Sequence, residues 1–185
     1  LRDSMREAAD LEVLAFGEIG FRQITNDVRP IVVPEDLEGL RLRVPGSKMR
    51  SLMFETYGAT PVTMNLGELY LALQQGTVDG QENPLAGTIN RSFHEVQKYF
   101  SMSNHVYTPV TFVMNGQKFD SLSPEHQELV KRAALEAAKY SRDLGAKADE
   151  EFLVMLHESE NNEVNEIDLA AFQAASEPVY EAIAE

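Results

Sequence analysis

From Ser123 onward, Leu129, Ala133, Ala137, Leu144, Ala148, Phe152 and Met155 keep helical spacing almost to Ser159. A helix of that length exceeds what an ordinary single domain uses, and one explanation is a helix that spans two lobes. Its start is well marked. Ser123 can cap it, Pro124 suits the first turn, and Glu125 meets the positive end of the helix dipole. Gly145 is a candidate bend.

Ahead of this helix the pattern alternates. Residues 1–10 read as the last turns of a helix and 11–16 as a short strand. Gly17 and Gly20 mark a turn or bulge before a second extended segment, 21–26. Pro30 and Pro34 make 27–35 a loop. A tight turn at Glu38-Gly39 then opens a strand in which Leu40, Leu42 and Val44 alternate with Arg41 and Arg43. Pro45-Gly46 stops it, and Ser47 can cap a helix running to Tyr57, with Met49, Leu52 and Met53 inward and Gly58 at its end.

Residues 60–63 are a short strand. Asn65-Leu66-Gly67-Glu68 has the form of a capping box, opening a helix with Leu66, Leu69, Ala72 and Leu73 on its core face. Gly76 ends that helix. Residues 78–81 can be a strand, Pro84 permits a helix start, and 92–99 is amphipathic and reads as helix. A β-type segment, 106–114, is broken at Pro109. Residues 161–167 are a polar turn with a short strand, and 169–184 is a last helix kinked or split by Pro178. Alternating strand and helix make the fold class α/β.

A net charge of −14 argues against nucleic acid, whose binders carry basic stripes. It also means that an anion site here must be local and pre-organised, because the bulk field repels anions. The chain has no cysteine, so neither a disulfide framework nor a thiolate metal site can form. No apolar run approaches membrane-spanning length, so the chain is not expected to be membrane-spanning. The charged start, Leu1-Arg2-Asp3-Ser4, is no signal peptide and reads as mid-helix, so the chain looks cut.

The sequence carries little that could do chemistry. His94, His105, His126 and His157 lack metal-type spacing and read as surface or satisfied histidines. No Gly-rich phosphate loop, nucleophile elbow or metal set is present, so no catalytic residue, metal or cofactor is expected. Asp79 and Glu82 flank Gly80 and could form an acid–base pair, which keeps an α/β enzyme acting on a carboxylate as the alternative. For Asp79 a structural role at a turn, accepting backbone amides, is the plainer reading. Arg43 closes a strand just before a helix opens, where open α/β sheets bind ligands. On spacing alone its plainer reading is a solvated cation. Its other reading is a rigid fork for an anion. Arg22 has a similar context, and the polar tip Gln81-Glu82-Asn83 completes the set.

Two runs carry a resemblance. One is Asp36-Leu37-x-Gly39-Leu40-x-Leu42-Arg43-Val44-Pro45. The other runs from Gly58-Ala59-Thr60-Pro61 through Met64, Glu68, Tyr70 and Ala72-Leu73-Gln74 to Val78-Asp79-Gly80-Gln81-Glu82-Asn83-Pro84, and Phe93-x-Glu95-Val96-Gln97-Lys98-Tyr99 continues it. With Phe21-Arg22-Gln23 and the helix after Pro124, they make the whole chain resemble the solute-binding proteins of TRAP transporters (tripartite ATP-independent periplasmic transporters). The resemblance implies a periplasmic-binding-protein-like fold: two α/β lobes joined by crossing strands and a long lobe-spanning helix. Such a protein is no enzyme. It closes on a small organic acid, such as a sugar acid or dicarboxylate, and delivers it to a membrane permease.

By position, the resemblance makes Arg43 the clamp on the ligand carboxylate, helped by Arg22 and Asn83. Leu66 stands where some relatives carry an aromatic, and Asn104 and Tyr107 lie near the specificity-determining surface. The implied organisation has residues 1–19 as a remnant of the first lobe and 20–108 as the carboxylate-clamp lobe. Residues 109–148 return to the first lobe and 149–185 to the second. Most of the first lobe is expected to be missing, leaving half a cleft and an exposed apolar sheet face. An interaction domain whose acidic surface docks the permease is a further reading, compatible with ligand binding.

Overall fold

The computed structural model describes residues 1–184. The chain runs α1 (Arg2–Ala9), β1 (Leu11–Asn26), β2 (Arg41–Val44), α2 (Lys48–Thr56), β3 (Thr60–Thr63), α3 (Leu69–Gln74), β4 (Gly80–Pro84), α4 (Leu85–Ile89), β5 (Tyr99–Asn115), α5 (Gly116–Asp120), α6 (Pro124–Glu158), β6 (Glu163–Glu166), α7 (Leu169–Ala175) and α8 (Glu177–Ala184). Six strands form one sheet in the order β3-β2-β4-β1-β5-β6. The α/β class expected from alternation is the observed one.

The chain divides into two compact units, Leu1–Gly20 with Tyr107–Glu150, and Phe21–Val106 with Glu151–Glu185. In the first unit, Ala15 packs on Ala134 and Ala138 of α6 beside Leu14 and Phe112. The α1 turn closes on Asp10, left-handed at φ 50°, whose carbonyl accepts from Gly116 N at 2.7 Å.

The second unit holds the larger core. One sheet face, with Ile24, Leu42 and Val44, packs on Met53 and Phe54 of α2, on Tyr57, on Phe172 of α7 and on Val179 of α8. Beneath α3, Leu69, Ala72 and Leu73 join Val78 and Phe93, with Met64, Leu66 and Tyr70 packed alongside. Leu85, Phe100, Met102 and Leu156 form a third cluster, which ties the last turns of α6 to this unit.

Several elements differ from the sequence reading. The segments 11–16 and 21–26 are one strand, with Gly20 at φ 102° inside it. β5 starts at Tyr99 and runs unbroken through Pro109, since a proline is tolerated where a strand needs no N–H. Residues 92–99 are not a helix. Ser92 is left-handed at φ 58°, only the single turn Phe93–Glu95 follows, and Tyr99 is captured by β6 opposite Glu163. The Asn65 capping box does not form, because the Asn65 side chain makes no cap bond and its carbonyl closes a tight Leu66–Glu68 turn instead. β4 begins at Gly80 rather than Val78. The last helix is split at Ser176, with Pro178 in the first turn of α8. Phe54, missing from the expected inward face of α2, is fully buried.

β4 is the central fact of this unit. It pairs parallel with β2, Arg43 opposite Gln81, and antiparallel with β1, Gln23 opposite Asn83 and Arg22 opposite Pro84. The approach at its start is close. A Cβ on Gly80 would collide with the Thr25 carbonyl oxygen and lie 2.8 Å from Asn26 Cβ. Gly80→Ala is therefore expected to destabilise the chain by about 1–3 kcal/mol, the usual cost of overpacking, measured as a lower denaturant midpoint with an unchanged slope.

Candidate functional site

Side chains alternate along β4, so its neighbours sort onto two faces. Gln81 and Asn83 share a face with Thr25, Gln23 and Arg43, while Glu82 faces the other way with Ile24 and Leu42, toward α2. Glu82 is therefore a carboxylate placed on the apolar face of the sheet, 0% exposed. A buried ion survives there only if it is paired and hydrogen-bonded.

Four donors meet it. Arg22 clasps the carboxylate with its Nε–Nη2 edge, the Nη2 bond being 2.8 Å. Arg50 Nη1, from α2, and His105 Nε2, from β5, each reach Oε2 at 3.1 Å. His105 stands edge-on against Phe54, with ring centroids 5.4 Å apart. A carboxylate only accepts, so His105 Nε2 donates to Glu82, and its Nδ1 lies 2.7 Å from Ser103 Oγ in a second hydrogen bond. Burial pushes the Glu82 carboxyl up, but the bonds from His105 and Arg22 outweigh it and leave the group below the usual carboxylate range. Burial pushes the His105 imidazole below its ordinary value, more than Glu82 raises it, which favours the neutral form.

On the opposite face the side chains form a polar row. Gln81 Nε2 donates to Thr25 Oγ1 at 2.9 Å, and Asn83 Nδ2 donates to Gln81 Oε1 at 2.5 Å. Arg22 Nη2 reaches over the strand end to Asn83 Oδ1 at 3.0 Å and to the Glu82 carbonyl at 2.6 Å. Asn104, left-handed at φ 45°, exchanges two bonds with Gln23, at 2.7 and 3.0 Å. Asparagine tolerates that conformation better than most residues.

Arg43 is different in kind. It is 4% exposed, and its Nε and Nη2 donate to the Met64 carbonyl at 3.0 and 2.8 Å. Among the described residues no carboxylate pairs with it. Burial holds its guanidinium below its ordinary value, against the pull of Glu82. The Nε–Nη2 edge is thereby fixed on the Met64 carbonyl, and among the described residues Nη1 makes no hydrogen bond.

The residues singled out from the sequence thus divide. Arg43, Arg22 and Asn83 converge at the adjoining ends of β2, β1 and β4, with Arg22 already committed to Glu82. Leu66 lies in the turn before α3, half-buried. Tyr107 belongs to the first unit, where its hydroxyl donates to Glu18 Oε2 at 2.6 Å. Among the described residues, Asp79 and Glu82 share no partner. Asp79 accepts from the Arg41 backbone at 2.8 Å and from its guanidinium, while Glu82 is enclosed by Arg22, Arg50 and His105. Both carboxylates hold the fold, which removes the proposed acid–base pair.

Arg50 and His105 were not singled out by sequence reasoning. Arg50 sits in the first turns of a helix otherwise read for its apolar positions. The alternation Ser103–His105 along β5, with both side chains on one face, was the available signal for His105.

A sheet that gathers buried cations at its strand ends, with its carboxylates spent on structure, has the form of a ligand-binding α/β domain. The model of the bacterial extracellular solute-binding protein, family 7, matches residues 1–185, and the chain belongs to that family, one of binding proteins rather than enzymes. The 2,3-diketo-L-gulonate-binding periplasmic protein YiaO of Escherichia coli (strain K12) is 37% identical over 169 residues, 91% of this chain and 52% of that protein. The solved TRAP periplasmic solute-binding protein from Sulfitobacter sp. NAS-14.1, with bound β-D-galacturonate, is 34% identical at a TM-score of 0.91, covering 98% of this chain and 60% of that one. The one from Roseobacter denitrificans, with bound β-D-glucuronate, is 36% identical at 0.91 over the same shares. The chain therefore spans little more than half the length of these relatives.

Two pH-dependent contributions to stability follow from the Glu82 cluster. His105 is held below its ordinary value of about 6.5 in the folded chain, so its contribution is complete above that value and falls as pH drops below it. The denaturant midpoint is expected to decline from about pH 7 to about pH 5, and His105→Gln to flatten that limb. Glu82 is ionised when folded, so its contribution is complete above about pH 4.3 and is lost as pH falls further. Glu82→Gln, which leaves buried Arg22 and half-buried Arg50 without their anion, is expected to cost about 3–5 kcal/mol in equilibrium unfolding at neutral pH.

Proposed function

We propose that the protein is the extracytoplasmic, periplasmic solute-binding subunit of a TRAP transporter. It captures a small organic acid, of the sugar-acid or dicarboxylate kind, through an arginine–carboxylate clamp and delivers it to the membrane permease. One observation carries the reading: Arg43 is a buried guanidinium with no carboxylate partner among the described residues and its end edge open. The overall charge of −14 repels anions, so that local, pre-aimed fork is what could select one. The relatives' bound galacturonate and glucuronate, each a sugar acid with a carboxylate, support the ligand class.

Each residue has a physical task in this reading. Arg43 presents two parallel donors to the carboxylate, and the Met64 carbonyl fixes its plane. Asn83 and Arg22 bound the same strand-end surface, with Arg22 held in place by Glu82. Glu82, Arg50 and His105 position Arg22 and do not touch the ligand. Leu66 and Asn104 border the strand ends from two sides and tune which acid fits. The clamp rests on the second unit alone.

Arg43→Lys in the full-length protein tests the clamp. Lysine keeps the charge but cannot bond Met64 and present a planar fork together. A loss on the order of 3–5 kcal/mol in binding of the acid is expected, read by titration calorimetry, with the melting temperature of the unliganded protein little changed. Near-wild-type affinity in that variant would sink the clamp.

A further inference from the structure

Beside the clamp the second unit has a cleft of about 490 Å³, lined by Leu66, Gly67, Tyr70, Arg91 and Phe93. That is within the roughly 300–1,000 Å³ of small-molecule sites. Its walls are largely apolar, since Leu66 and Tyr70 pack on buried Phe93 in the cluster that also contains Met64. Met64 is the residue whose carbonyl orients Arg43. The cleft and the clamp are thus built on one hydrophobic cluster.

Arg91 is the cation of this cleft. It follows α4, and its Nη1 donates to the Gly87 carbonyl at 3.1 Å, one turn back. The turn is tied down by the Ser92 N–H, which donates to the Ile89 carbonyl at 2.9 Å. Nε and Nη2 of Arg91 have no partner among the described residues, and no acidic side chain pairs with it. Its position is close to the clamp. A Cβ on Gly87 would lie 3.8 Å from Arg91 Nη1 and 3.9 Å from Asn83 Oδ1, the oxygen that accepts from Arg22. The nearby acid Glu95 is engaged by the Tyr70 hydroxyl at 3.2 Å.

We infer that Arg91 binds a second acidic group at the far end of the ligand, so that the cleft selects diacids over the matching monoacids. The inference rests on the reading that Arg43 holds the first carboxylate. Chemically, the cleft offers an apolar wall for a short carbon chain and a half-free guanidinium at its rim. The free Nε–Nη2 edge matches a carboxylate in two parallel bonds. Gly87 puts no side chain of its own between Arg91 and Asn83. Arg91 is thus a specificity-determining residue for the same binding event.

The test uses the full-length protein and pairs of open-chain acids that differ only at one end: D-gluconate with D-glucarate, D-galactonate with galactarate, and 2-hydroxybutyrate with malate. Titration calorimetry is expected to show at least one diacid bound more tightly than its monoacid partner. Arg91→Gln is expected to weaken that diacid about tenfold, the size of one charge-assisted hydrogen bond, and the monoacid less than about twofold. Arg91→Lys, which keeps the charge, is expected to recover part of the loss. Arg43→Lys removes monoacid and diacid alike. If no diacid exceeds its partner, or if Arg91→Gln weakens both members of a pair equally, the inference falls. If Arg43→Lys binds normally while Arg91→Gln loses the diacid preference, the clamp reading has failed and the Arg91 site has not.

Discussion

A carboxylate on the wrong face of a sheet organises the second unit. Glu82 points toward α2, among Ile24, Leu42 and Phe54, where an unpaired charge would be very costly. Its four oxygen-directed bonds draw in three separate elements: Arg22 from β1, Arg50 from α2 and His105 from β5. Each donor is thereby fixed in orientation. Removing the carboxylate would leave buried Arg22 and half-buried Arg50 without an anion, so the cluster specifies one arrangement of strand, helix and strand rather than merely adding stability.

That pairing separates two arginines that look alike in sequence. Arg22 spends its stronger edge on Glu82 and its remaining reach on Asn83 and a carbonyl. Among the described residues, Arg43 has only the neutral Met64 carbonyl. The local excess of positive charge is left at the strand ends, inside a molecule whose summed charge is strongly negative. In such an acidic surround long-range attraction would not favour an anion, so a proposed anion site there depends on contact and shape. The nearby cleft extends the same logic, with Arg91 held at its rim by a backbone carbonyl rather than by an acid.

Much of the fold is legible in the residues. The Glu38-Gly39 turn, the alternation from Leu40 to Val44, the Ser47 cap and the Ser123-Pro124-Glu125 start all act within a few residues, so pattern and conformation agree. The failures are those in which a distant partner wins. Residues 92–99 have a helical pattern, but β6 pairs with Tyr99 and pulls the chain into the sheet. Asn65 has a capping sequence, but the chain turns too tightly there for its side chain to reach. The break expected at Pro109 is absent because a strand can pass a residue that lacks one donor. In the site, Arg43, Arg22 and Asn83 stand out through their strand-end contexts. Arg50 and His105 do not, because nothing local marks a side chain whose partner lies 32 or 23 positions away.

The sequence by itself determined the α/β class, the long helix after Pro124, the candidate arginines and the family, because periodicity, caps and ordered motifs are local properties of the chain. Only the tertiary structure decided which arginine is spent and which is free, that Asp79 and Glu82 are structural, and that Arg91 stands beside Asn83. Those outcomes depend on the register of β4 between β2 and β1, and register is set by packing across strands far apart in the chain.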